Sequence, residues 1–168
     1  MKADKDYSDK LIHKLLSVMD KIPKIETAKM VGGAPSMDTG IDYLIQVRAD
    51  KESYILACEV KNNGQPRYVR SAINSLRAYM YGREDIMTPV LLAPYLTFDS
   101  QELCREKNIS FLDMEGNALI QFGGVYIDHR MPGKPVSEKR GLRSIFSPKS
   151  AQVLRMMLND PLRTWKVS

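Results

Sequence analysis

Apolar residues recur along this chain with two periods, one helical and one of two residues, and their succession lays out the elements. Leu11, Ile12, Leu15, Leu16 and Met19 fall at helical spacing within residues 8–20, where Ser8 or Asp9 can cap the amino end. After Pro23, IETAKMV fits a short strand or a loop, and GGAPSMDTG is a turn-rich connector. The run GIDYLIQVRADKESYILACEVK, Gly40 to Lys61, predicts two strands folded back by Asp50-Lys51-Glu52-Ser53. Pro66 opens a helix over 66–81 with a stripe of Val69, Ala72, Ile73, Leu76 and Tyr79 or Met80. A short apolar run predicts a buried strand at 89–93, and TFDSQELCREKN a polar helix capped near Thr97 or Asp99. ISFLDM and ALIQF read as strands around a tight Glu115-Gly116-Asn117 turn, with GGVYIDHR as a last strand or hairpin arm.

Strands alternating with helices after an opening hairpin predict an α/β fold, its central sheet mixed in direction and flanked by helices. Residues 1–130 form this domain. Residues 131–146, rich in Pro, Gly, Lys and Arg, read as a basic linker. Residues 147–168 begin another amphipathic helix, with Val153, Leu154, Met157 and Leu158 on one face, and stop.

Bulk numbers narrow the field only a little. The 168 residues suit one well-buried domain with a short appendage. No apolar run approaches 18 residues, so no membrane span is expected, and the polar start MKADKDYSDK predicts a cytoplasmic protein. Cys58 and Cys104 sit in apolar patterns and read as buried thiols; His13 and His129 are isolated and make no metal cluster. The net charge of +5 suits a polyanionic partner. Basic residues bracket the hairpin: Lys61, Arg67, Arg70, Arg77 and Arg83 follow it, and Lys134, Lys139, Arg140, Arg143 and Lys149 come later.

The chemistry lies in the hairpin. Asp42 opens its first strand, and Glu59-Val60-Lys61 ends the second. Alternation puts Glu59 and Lys61 on one face and Tyr54, Leu56, Cys58 and Val60 on the other, while the turn can bring Asp42 near Glu59. Two carboxylates and an ammonium at a sheet end suit a cation-assisted attack on a phosphodiester. As a solvated strand end, the same residues would be an ordinary surface pair.

Asp, hairpin and Glu-x-Lys resemble the PD-(D/E)XK, or restriction-endonuclease-like, superfamily, with Ile41 where a proline usually precedes the acid. Residues 40–122 repeat the element order of archaeal Holliday-junction resolvases and Mrr-type nucleases. The resemblance implies Asp42, Glu59 and Lys61 as catalytic residues. Asp42, Glu59 and the Val60 carbonyl would bind Mg²⁺ (or Mn²⁺). A fourth acid, common in such sites, would be Glu26, or second Asp20. Some of these nucleases carry Gln-x-x-x-Tyr on the next helix; here the frame holds Ser75 and Tyr79, so Tyr79 reads as a core aromatic.

Ala93-Pro94-Tyr95 and Asp113-Met114-Glu115-Gly116-Asn117 are similar to AbiEi-type antitoxins and transcriptional regulators, in which an endonuclease-like domain precedes a winged helix. That implies that residues 147–168 begin a winged helix. Asp113 itself reads as a residue that hydrogen-bonds a turn backbone. DNA is then the expected partner, with a homodimer as a second expectation. Arg67, Arg70 and Arg77 would form a phosphate-binding row on the helix after the motif. Two functions compete: a metal-dependent DNA endonuclease, and a nuclease-derived DNA-binding regulator or antitoxin without turnover. A structural α/β domain with a protein partner is a third, which leaves the motif and strand order unexplained.

Overall fold

The alternating apolar runs form one sheet because each strand finds its neighbour next along the chain. A computed structural model of the chain describes residues 5–33, 41–83 and 87–132, with Arg155, Leu158 and Asn159. Two compact units divide at residue 136. Of the second, Arg155, Leu158 and Asn159 are described, all helical and exposed. Most of the expected linker and the rest of the expected winged-helix start lie outside the described residues.

In the first unit α1 (Lys5–Met19) precedes β1 (Ile25–Gly33), β2 (Tyr43–Ala49) and β3 (Glu52–Val60). Then come α2 (Pro66–Met80), β4 (Met87–Ala93), α3 (Phe98–Glu106), β5 (Ser110–Asp113), β6 (Ala118–Phe122) and β7 (Val125–His129). The seven-stranded sheet is ordered β1 to β7. The pairs β3–β4 and β4–β5 are parallel, each joined by a crossover helix, and the other four are antiparallel. This is the mixed α/β sheet flanked by helices that the sequence predicts. Among the described residues no helix is long and apolar enough to cross a membrane.

Alternation along β3 and β4 divides the core in two. Leu56, Cys58, Val60, Val90 and Leu92 face α1, packing with Leu11, Ile12, Leu15 and Met19. Ala57, Leu91 and Ala93 face α2 and α3, packing with Val69, Ala72, Ile73, Leu76 and Cys104. Met80 completes the buried stripe of α2, while Tyr79 is half-buried against it, as a core aromatic. Both cysteines are buried free thiols. Thr97 caps α3 by accepting the Ser100 amide.

Two local details differ from expectation. The β2–β3 turn is tighter than the four residues read from the sequence. Ala49 pairs with Glu52, leaving Asp50 and Lys51 at the tip with φ of 50° and 68°. Both φ values are positive, the geometry that matches strand twist in two-residue hairpins. IETAKMV, ambiguous in sequence, is a true strand that continues into the first two glycines. It sits at the sheet edge with bulges near Glu26 and Val31, so its residues alternate poorly.

Candidate active site

The carboxyl end of β3 brings Asp42, Glu59 and Lys61 together. Asp42 lies one residue before β2, and its amide donates to the Cys58 carbonyl at 2.9 Å, extending the β2–β3 ladder. One oxygen of its carboxylate, Oδ2, accepts the Val60 amide at 2.7 Å. Asp42 is therefore fixed beside the residue between Glu59 and Lys61. Its neighbour Tyr43 pairs with Cys58 on the α1 side; Glu59, the next residue of β3, faces α2 and feels the Asp42 charge.

Glu59 is the unusual member. It is 4% exposed, and the Lys61 ammonium pairs with its Oε1. Burial pushes its carboxyl up to about 7; the Lys61 ammonium pulls the other way, and the Asp42 carboxylate adds to the rise. A buried acid beside a second acid is the environment that a bound cation would relieve. Val60 buries its side chain on the α1 side, leaving only its backbone toward the acids.

The surrounding loops lock this end. Gly64 follows Lys61 closely, and a Cβ there would lie 1.5 Å from the Tyr95 carbonyl oxygen, so only glycine allows this approach. The Thr97 amide donates to the Gly64 carbonyl, and the Tyr95 hydroxyl donates to Asn63 Oδ1 at 3.2 Å. Asp113, fully buried, accepts from the amides of Leu96, Gly116 and Asn117 and from the Asn117 side chain. It thereby ties the β5–β6 turn to the loop after β4, as the turn-stabilising role read from the sequence requires. The Asn117 side chain in turn accepts the Met131 amide at 2.9 Å.

Three expected positions stand elsewhere. Glu26 pairs with Arg48 at 3.0 Å and accepts the Lys51 amide at 3.2 Å, at the turn end of the hairpin. That is roughly 20 Å of extended strand from Asp42, too far for a shared cation, and position in sequence alone could not reveal which hairpin end β1 presents. Asp20 follows α1 on the face opposite Glu59. Arg77 is exposed, as are Arg67 and Arg70, but it donates to the Lys107 carbonyl at 3.4 Å near the other end of the sheet. Arg67 and Arg70 stay in the first half of α2, near Lys61. The Arg67 guanidinium lies over the Tyr68 ring, 4.7 Å from its centroid.

Could these groups hold a divalent cation? Among the described residues no cluster of three His, Cys, Asp or Glu side chains forms. Two carboxylates are nevertheless a sufficient protein share for a hard cation that keeps waters and substrate phosphate oxygens as its other ligands. The donor set fits Mg²⁺ or Mn²⁺.

No family model and no curated protein matches the sequence. Among solved structures the chain is similar to EndoMS in its apo form, at 19% identity and a TM-score of 0.47, over 68% of this chain and 47% of that one. It is also similar to a repair endonuclease from Pyrococcus abyssi, at 14% identity and a TM-score of 0.46, over 68% and 48%. An EndoMS complex with double-stranded DNA matches at 18% identity and a TM-score of 0.38, over 61% and 42%. The chain spans about half the length of the first two. The likeness concerns the arrangement of the sheet and its helices.

Proposed function

We propose that this domain hydrolyses DNA phosphodiester bonds with a divalent cation held by Asp42 and Glu59. The observation that supports it most is the hydrogen bond from the Val60 amide to Asp42, which fixes one acid beside the Glu59-Val60-Lys61 strand end. Bound there, Mg²⁺ or Mn²⁺ would act as a Lewis acid on the scissile phosphate and acidify a coordinated water. Asp42 and Glu59 would hold it through their carboxylate oxygens, with the Val60 carbonyl as a further ligand. Lys61 stabilises the charge that develops on the phosphate and orients the attacking water. Arg67 and Arg70, at i and i+3 on α2, contact phosphates rather than base edges. The protein acts in the cytosol.

The test is cleavage of supercoiled plasmid by purified protein in Mg²⁺ or Mn²⁺ against EDTA, with Asp42→Asn, Glu59→Gln and Lys61→Ala in parallel. The proposal requires metal-dependent cleavage by the parent and its loss in each variant. Equal cleavage by Glu59→Gln would expose a contaminant. Tight, metal-independent DNA binding with no cleavage by any form would instead select the regulator or antitoxin reading.

A further inference from the structure

A cavity of about 530 Å³ opens at the other end of the sheet, where β4 and β5 begin. Its volume falls within the range of small-molecule sites. Glu59 pairs with Leu91 but Met87, at the cavity wall, pairs with Ile55, so about four residues of strand, roughly 13 Å, separate the cavity from the candidate active site.

The lining has two characters. Met80, Met87, Pro89 and Ile109 supply an apolar wall. Arg77 and Lys107 supply positive charge, and no described lining residue carries a carboxylate. Donors outnumber the acceptors that engage them. Of the Arg77 donors one is taken, by the Lys107 carbonyl at 3.4 Å. The Lys107 ammonium has no hydrogen-bond or ion-pair partner among the described residues. Two cations over an apolar floor complement one kind of ligand.

We infer that this cavity is a binding site for a small amphipathic anion, its apolar body on Met80, Pro89 and Ile109 and its acid group on Arg77 and Lys107. A planar acid group can take two parallel hydrogen bonds from the Arg77 guanidinium, while Lys107 adds a point charge. Arg77 thus leaves the phosphate-binding row of α2 for a separate site. The inference does not depend on nuclease activity.

Two dyes of nearly equal shape test it: anilinonaphthalene sulfonate, an amphipathic anion, and N-phenylnaphthylamine, its uncharged analogue. Fluorescence titration of the intact chain should show saturable, one-site binding of the sulfonate, at least tenfold tighter than the neutral dye. The Arg77→Ala/Lys107→Ala double variant should erase that preference. Met87→Trp, which fills the cavity from its wall, should abolish binding of the sulfonate, whereas Asp42→Asn should leave it unchanged. A partly unfolded variant would take up both dyes alike, so the ratio between them separates site loss from misfolding. No saturable sulfonate binding, equal affinity for both dyes in the parent, or undiminished binding by Met87→Trp each overturns the inference.

Discussion

The Asp42 carboxylate accepts the backbone amide of Val60 at 2.7 Å, so a proposed metal ligand is also the fastener between the start of β2 and the end of β3. The two roles separate by substitution. Asp42→Asn keeps an acceptor for the Val60 amide and removes only the charge; it should fold like the parent and lose cleavage by at least about 100-fold. Asp42→Ala leaves the amide unpaired and should also cost about 1–2 kcal/mol in urea unfolding. Cleavage retained by Asp42→Asn would remove Asp42 from the metal site.

Glu59 gives stability a pH dependence of known sign. Its folded carboxyl titrates near 7, above the ordinary value of 4.5, so the folded state holds its proton more tightly than the unfolded state does. The associated stability is fully present below about 4.5 and lost as pH rises to about 7. Without divalent metal the loss should reach at most about 3 kcal/mol. Denaturation in EDTA across this window should show the decline, and Glu59→Gln should flatten it. Mg²⁺ at 100 times its dissociation constant should restore about 2.7 kcal/mol at pH 8. A pH profile identical in parent and Glu59→Gln would show that Glu59 does not titrate in this range.

Asp113 should prove structural. Four donors converge on its buried carboxylate, and Asp113→Ala would strand them, costing on the order of 3–5 kcal/mol. Thermal unfolding of the variant measures this directly. A small shift in melting temperature combined with lost cleavage would reverse the assignment and make Asp113 a participant in the chemistry.

Arg67 and Arg70 should act on DNA of any sequence alike. Replacing both with Ala should weaken binding and reduce the slope of log affinity against log salt by roughly 0.9 per lost phosphate contact. Arg77→Ala should leave that slope unchanged, because its guanidinium turns to Lys107. An unchanged slope in the Arg67/Arg70 variant would remove α2 from the DNA interface.

Periodicity made much of this legible. The stripe of α2 and the alternation of β3 are strong because each element buries one face and leaves the other polar, or splits its residues between two cores. Edge strand β1 was ambiguous for the opposite reason: neither of its faces is deeply buried, so neither imposes an apolar period. The Asp50-Lys51 turn carries no glycine or asparagine to announce its positive φ values. Glu26 shows the limit for the site. The acid can be listed from sequence, but the hairpin end it reaches is set by the antiparallel register of Ile25 with Ala49. Likewise Gly64 reads as an ordinary loop glycine, since its constraint comes from Tyr95, which is remote in sequence.

The strands stand in the sheet in the order in which they are synthesised. A chain emerging from the ribosome amino end first can therefore add each new strand to an existing edge and never has to insert one between two already placed. Asp42, Glu59 and Lys61 all come from the β2–β3 hairpin and its immediate end, whose contacts are short-range and quickly closed. Their neighbourhood is drawn before β4 exists. The dry side of Glu59 arrives later, with α2 and with Leu91 of β4. The burial that raises the proton affinity of Glu59 therefore depends on a layer encoded after the hairpin that carries it.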